Sequence, residues 1–473
     1  MSPPADVPVP AVGSAPPPTA GPLSARYLAV TIATLALVTI VAFESMAVST
    51  AMPAVAADLE SVRNYGLAFS AMLTAQLLGI VLAGVWTDRS GPMPGILTGQ
   101  LLVAGGSALC GAAAHYPVFL LGRATTGLGG GLLVVMLYVI AARLYPEAIR
   151  PRLFTLVSAA WVLPSLAGPS IAAWLTHAIS WRAVFSVVVP PTLATFAFFL
   201  IGQRRVDLTG LVVATSDDDA TSHLRIAWWG LALALAAGAI QYGSAAAEDT
   251  RGLGAEHAVA VVGLIGVLIA APRLVPAGTW RMARGIPSVM LARALLSGSF
   301  FAGISYVPLM IVSLAGRDVR DAGILIAIGS VGWAIGSWWQ GRVRVTAGRE
   351  RLVLGGAVLL AAGLGGVGLV TAAALPWWLT AVPIVLCGLG MGVGVTTTTV
   401  LALALAAPED HGPASSSLQL ADVLGSVLGI AAVSAVFATW HDPATDRWLF
   451  TTIFLALSAV AAVVVRAAQR IRT

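Results

Sequence analysis

The chain has 473 residues, of which 58% are hydrophobic and 10% charged, with a formal net charge of +5 and a mean hydropathy of +0.90. A water-soluble domain carries about 25% charged residues, so this composition excludes one and requires a membrane as solvent. Repeated apolar runs of about 20 residues match the length a helix needs to cross hydrocarbon, and exclude a β-barrel, whose short segments alternate.

In chain order, residues 1–27 open with MSPPADVPVPAVGSAPPPTAGPLSA, rich in Pro, Ala and Ser. Such a stretch cannot bury apolar area and reads as a disordered tail; without a basic start before a short apolar core it is not a cleaved signal. Apolar segments then fall near 28–50, 66–86, 92–113, 117–141, 152–176 and 183–201, near 226–243 and 256–272, and near 288–314, 322–340, 351–373, 378–405, 413–438 and 447–465. These fourteen spans predict an all-α integral membrane protein with both termini on one side. The polar stretch 202–225, with QRRVDLTG and SDDDATSH, and the stretch 273–287 divide it 6+2+6. The expected units are a six-helix bundle at 28–201, two added helices at 226–272, a second six-helix bundle at 288–465 and a short tail at 466–473.

Eighteen arginines fall on the side of the termini and six on the other, from Arg26, Arg89 and Arg143 through Arg470 and Arg472 against Arg63, Arg182, Arg251, Arg317, Arg320 and Arg447. The excess places both termini in the cytoplasm of a multi-pass plasma-membrane protein. It also accounts for the net charge, which therefore gives nucleic-acid binding little support. Cys110 and Cys387 both lie in apolar runs and read as small packing residues.

An internal repeat supports two related halves. AGVWTDRSGP between spans two and three parallels QGRVRVTAGR between spans ten and eleven, and GLGGG in span four parallels GLGMG in span twelve. Paired halves about a central cavity are the usual route to alternating access.

Two carboxylates sit inside spans, Glu44 in span one and Asp422 in span thirteen. A charge there costs at least ~2.5 kcal/mol, so such groups line a cavity or carry a proton. Glu44 reads either as a proton-coupling acid or as a neutral acid bonded to a neighbouring helix for packing alone. Asp422, near Gln419, faces the same choice and adds cation recognition. A cationic substrate would compete with the proton for a carboxylate, which couples the two. Arg123, in LLGRATTGLGGG, either serves the proton path by orienting a carboxylate or reaches to water. Arg293, near the inner edge of span nine, is explained by interface anchoring.

Span five, WVLPSLAGPSIAAWL, sets Pro164, Gly168 and Pro169 among Ala172 and Ala173, which predicts a bent helix that a neighbour crosses closely. GVWTDRSGP places Gly84, Asp88, Arg89 and Gly91 in a tight cytoplasmic turn, either a gate whose charges must part or a plain surface turn. Gln76, Tyr138, Tyr306, Trp333 and Gln419 are the polar or aromatic candidates for a substrate cavity, suited by stacking and cation–π attraction to flat lipophilic cations.

Together these segments resemble the major facilitator superfamily, specifically its fourteen-helix drug/proton antiporter branch. Gly84, Asp88, Arg89 and Gly91 match the loop signature G-x-x-x-D-R-x-G, with Pro92, Met93 and Pro94 where basic residues are usual. Arg123 and Gly127 match the span-four signature. Gly168 and Pro169 match that of span five, where Ala172 and Ala173 replace paired glycines, and SWRAVF at 180–185 follows as in the family. Glu44 and Pro53 fall where the family has an acid and a proline.

The resemblance implies proton-driven export of amphiphilic or cationic drug-like compounds by a functional monomer, with no cofactor and no enzymatic activity. The alternatives are an exporter of lipids or lipophilic cell-envelope precursors, and proton-coupled uptake. No metal-ligand spacing among the histidines and no phosphate-binding Gly-Lys-Ser loop appears in the sequence.

Overall fold

The computed structural model describes residues 21–24, 27–145, 149–202, 217–246, 254–342, 348–406 and 411–471. Side chains of some helical residues, among them Asp88, Arg89 and Tyr138, lie outside the description, as do most of the N-terminal tail and residues 203–216 of the first linker. In hydrocarbon every backbone donor and acceptor must be satisfied within the chain. The apolar runs do this as α1 (Leu28–Asp58), α2 (Tyr65–Ser90), α3 (Pro92–Gly111), α4 (Tyr116–Leu144), α5 (Arg150–Ala178), α6 (Trp181–Ser186), α7 (Val189–Gly202), α8 (Asp217–Ala246) and α9 (Ala255–Leu274). They continue as α10 (Ile286–Ala315), α11 (Val319–Arg342), α12 (Glu350–Ala372), α13 (Ala381–Leu405), α14 (His411–Trp440) and α15 (Asp446–Gln469).

Helices α6 and α7, parted only at residues 187–188, make a single crossing, so the fifteen helices among the described residues give fourteen spans. Twelve crossings are long and apolar enough for a membrane by length and composition alone. The others are α5, with Pro164 and Pro169 inside it, and α8, whose apolar stretch Trp228–Ile240 is short. No strand occurs among the described residues. One boundary moves: α8 starts at Asp217, inside the stretch read as a linker. Three aspartates at its start are polar enough to look like a loop, yet the positive end of a helix favours acids there.

Local chemistry sets the turns. Gly91 holds φ +71° between α2 and α3, and Gly316 holds +58° after α10, both left-handed values that a side chain resists. Gly91 closes the G-x-x-x-D-R-x-G stretch, so its glycine follows from the tightness of that turn. Pro92 starts α3, where its missing donor costs nothing.

The glycine runs noted in the sequence are packing surfaces. On α4, Gly127 and Gly131 lie against the Met72 and Gln76 carbonyls of α2; on α13, Gly388 and Gly392 lie against the Gly329 and Trp333 carbonyls of α11. Span four therefore seats on span two as span twelve seats on span ten. Helix α1 packs on α5, α10 on α14, and α12 on α13 and α15. Helices α8 and α9 pair with each other, and α8 lies along α2 and α14.

The N-terminal helices α1–α7 and the C-terminal helices α10–α15 meet unevenly. One continuous apolar cluster joins the C-terminal helices to Ala47–Ala56 of α1, Tyr65–Phe69 of α2 and Ala172 and Leu175 of α5. A separate cluster gathers Tyr27 and, from α1, Val30 to Val41, with Ala83 of α2, Ile140 of α4 and Leu153 of α5, and no buried member from the C-terminal helices. Among the described residues the two sets are thus joined mainly at the end opposite the termini, here the distal end; away from it, toward the end near the termini, the proximal end, they share a smaller cluster in which Leu77 of α2 and Leu424 of α14 pack with α8 and α9.

Candidate functional site

Glu44 and Arg123 meet in the middle of the N-terminal helices. Glu44 lies midway along α1, and Arg123 lies eight residues into α4, whose distal end starts at Tyr116. The guanidinium Nη1 donates to Glu44 Oε1, and the side chains are 2% and 3% exposed respectively. Arg123 Nε donates to the Ala68 carbonyl at 3.4 Å, and Nη2 reaches Met72 Sδ at 2.6 Å, so α2 supplies the rest of the cradle. Burial to this degree is tolerable only because each charge cancels the other; removing one partner of such a pair costs about 3–5 kcal/mol. Of the two readings of Arg123, the geometry has it orienting a carboxylate.

A second pair stands in the C-terminal helices. Arg293 Nε donates to Asp422 Oδ1 at 2.6 Å, and the Ser297 hydroxyl donates to the same oxygen. Arg293 Nη1 donates to the Val395 carbonyl at 2.9 Å and lies 3.3 Å from Thr399 Oγ1 on α13. Interface anchoring therefore does not describe Arg293: its side chain is 8% exposed and binds inward across α10, α13 and α14. An arginine two turns inside a span was the signal for this, but sequence alone names no partner. Asp422 differs from Glu44 in keeping 23% of its side chain exposed.

On α10 the helical repeat carries this face onward from Arg293 and Ser297 to Phe300 and Phe301. These two rings gather round Trp333 of α11, with centroids 5.3 Å and 6.3 Å from it. Aromatic faces thus lie about two turns along α10 from the Arg293–Asp422 pair. Sequence reading had singled out Trp333 and missed both phenylalanines.

The remaining candidates scatter. Gln76 and Gln419 are half-buried on α2 and α14. Tyr306 is fully buried in the distal seal, its ring 5.3 Å from that of Tyr65, whose hydroxyl donates to the Ser305 carbonyl at 3.0 Å. Pro164, Gly168, Pro169, Ala172 and Ala173 are buried on α5, and α5 packs on both α1 and α11. Asp88 and Arg89 end α2, but their side chains and the surroundings of Gly84 lie outside the described residues, as does the side chain of Tyr138. At the distal rim SWRAVF acts as a clamp. Trp181 Nε1 and Arg182 Nη1 both donate to Asp58 Oδ2, at 3.0 Å and 2.9 Å, and tie the end of α1 to α6. No group of three or more metal-ligating side chains occurs among the described residues.

The profile of the Major Facilitator Superfamily matches residues 34–430. The chain belongs to this superfamily. Among its relatives, Multidrug resistance protein 3 of Bacillus subtilis is 25% identical over 84% of the chain and 76% of its own length. Multidrug transporter protein MdtP of the same organism is 24% identical over 68% of the chain, a match that spans 59% of MdtP. The fold is shared with a D-xylose-proton symporter (TM-score 0.64, 14% identity, covering 92% of the chain and 97% of the symporter). It is also shared with a POT family transporter solved with 5-aminolevulinic acid (TM-score 0.68, 14% identity, 93% and 96% covered). The chain thus has the family and the fold of membrane transporters.

Proposed function

We propose that the protein is a proton-coupled antiporter of the fourteen-helix drug/proton branch, exporting amphiphilic or cationic drug-like compounds, with both termini in the cytoplasm. The observation that carries this is the sealed Glu44–Arg123 pair. A proton arriving on Glu44 cancels the carboxylate and leaves Arg123 as an unbalanced charge at a depth where that is costly. The arrangement relaxes only by movement. Arg123 holds the Ala68 carbonyl of α2, three residues from Tyr65 in the distal seal, so the move is delivered to the contact that must part for access to alternate. Asp422, partly exposed and on the same side of α10 as the Phe300, Phe301 and Trp333 rings, is the group that meets a cationic substrate. The names of the Bacillus subtilis relatives support drug-like cargo.

Proton-coupled uptake is the second reading, favoured by the shared fold of the D-xylose-proton symporter. Proteoliposomes with an imposed pH gradient separate the two. An acidic lumen in inside-out vesicles drives accumulation of a fluorescent lipophilic cation if the protein is an antiporter, and drives none if proton and solute travel together. Labelled phospholipid moving between leaflets, with drugs acting only as inhibitors, would instead identify a lipid exporter.

A further inference from the structure

The Arg293–Asp422 pair makes only one of the two bonds open to it. A guanidinium and a carboxylate meeting edge to edge ordinarily close in two parallel hydrogen bonds. Here Arg293 Nε donates to Asp422 Oδ1 at 2.6 Å, and the Ser297 hydroxyl holds the same oxygen. Arg293 Nη1 is turned the other way, to the Val395 carbonyl at 2.9 Å and the Thr398 and Thr399 hydroxyls at 3.5 Å and 3.3 Å. Arg293 Nη2 and Asp422 Oδ2 bond to nothing among the described residues, and neither is closed off from solvent as the unpartnered Gln100 Oε1 and Ser107 Oγ are. Because Nη2 shares the Nε edge of the guanidinium, a free charged donor stands beside a free charged acceptor.

A bare ammonium ion uses only half of this edge. It satisfies Oδ2 but brings its positive charge against Nη2, which repels it. An oxygen carried beside the nitrogen removes the conflict: the ligand N–H donates to Oδ2 while Nη2 donates to the ligand oxygen. A β-amino alcohol has the right spacing, since its gauche N–C–C–O unit sets nitrogen and oxygen within hydrogen-bond distance of each other. The rings of Phe300, Phe301 and Trp333, about two turns further along α10, suit an aryl group on a short arm.

We infer that the open Arg293–Asp422 edge selects aryl amino alcohols, protonated amines with a hydroxyl two carbons from the nitrogen, over lipophilic cations of equal charge and bulk. This rests on the proposed role of Asp422 in meeting a cationic substrate, and it adds Arg293 as the residue that reads the neighbouring oxygen. The selectivity belongs to the pair as a unit: Asp422 detects the N–H and Arg293 detects the acceptor.

The test is calorimetric titration of the purified full-length protein with three singly charged probes: propranolol, its analogue lacking the hydroxyl, and its N,N-dimethyl quaternary salt. Wild type is expected to bind propranolol about tenfold more tightly than either analogue, because each analogue loses one charge-assisted hydrogen bond that water replaces in part. Arg293→Lys keeps the charge, but its single nitrogen is taken up by Oδ1. The preference for the hydroxyl is expected to fall to about one, while the preference over the quaternary salt stays near tenfold. Both are ratios between probes on one protein, so a partial loss of folded material leaves them unchanged; should Arg293→Lys not fold, the two wild-type ratios decide. Equal affinity of wild type for propranolol and either analogue overturns the edge and leaves the cation reading standing, as does a hydroxyl preference that survives in folded Arg293→Lys. Binding of none of the three overturns both.

Discussion

The two buried acid–arginine pairs use the same chemistry in different settings. Glu44–Arg123 is closed off, both side chains at most 3% exposed, and every partner seen for Arg123 comes from the N-terminal helices. Arg293–Asp422 has a buried arginine and a carboxylate left 23% exposed, with Ser297 and a row of aromatic rings along the same helix. On the proposed antiport reading, the contrast lets one fold separate two tasks. A charge that only a proton needs to reach can be sealed, because a proton moves along any brief chain of donors. A charge that must greet an organic cation has to keep an open face.

The largest expected effect lies in removing the sealed arginine. Arg123→Met leaves Glu44 an uncompensated buried charge, and thermal unfolding in detergent at neutral pH is expected to show a loss of about 3–5 kcal/mol. Arg293→Met is expected to cost roughly half of that, because the exposed face of Asp422 lets water take up part of the charge. Equal losses would erase the distinction between the pairs.

Next comes coupling. Glu44→Gln keeps the shape and a hydrogen bond to Arg123 but holds no exchangeable charge. Transport driven by a pH gradient is expected to fall at least tenfold, within the usual span of coupling free energies, while binding of a lipophilic cation stays close to wild type. Asp422→Asn is expected to do the reverse. It weakens binding of cationic substrates about tenfold, or about 1.4 kcal/mol, and spares neutral ones, as read by tryptophan-quenching titrations. The smallest effect is at the aromatic row: Trp333→Leu is expected to weaken cation binding by about 0.5–2 kcal/mol, with the pH dependence of transport unchanged.

The sequence made the spans legible because hydrocarbon thickness imposes a length that hydropathy records directly. It made the glycine runs of α4 and α13 legible as packing surfaces, and the repeat told which helices correspond. It did not tell which helices face each other across the two sets. Arg293 and Asp422 are 129 residues apart and Tyr65 and Ser305 are 240 apart, and periodicity within a span carries no record of a partner that distant. For the same reason Tyr306 looked like a cavity residue: a tyrosine inside a span has the same appearance whether it lines an opening or closes one. Phe300 and Phe301 were hidden among ordinary apolar residues, and only the inward turn of Arg293 gives their face a meaning. The start of α8 at Asp217 was missed because hydropathy reports membrane depth, and a helix that runs on into water leaves no trace in it.

The most direct measurement is the count of protons released when a saturating lipophilic cation is added to detergent-solubilised protein in weakly buffered solution with a pH indicator. Wild type is expected to release protons, Asp422→Asn to release as many once the higher cation concentration it needs is reached, and Glu44→Gln to release none. Undiminished release from Glu44→Gln would contradict the assignment of the proton to the sealed pair.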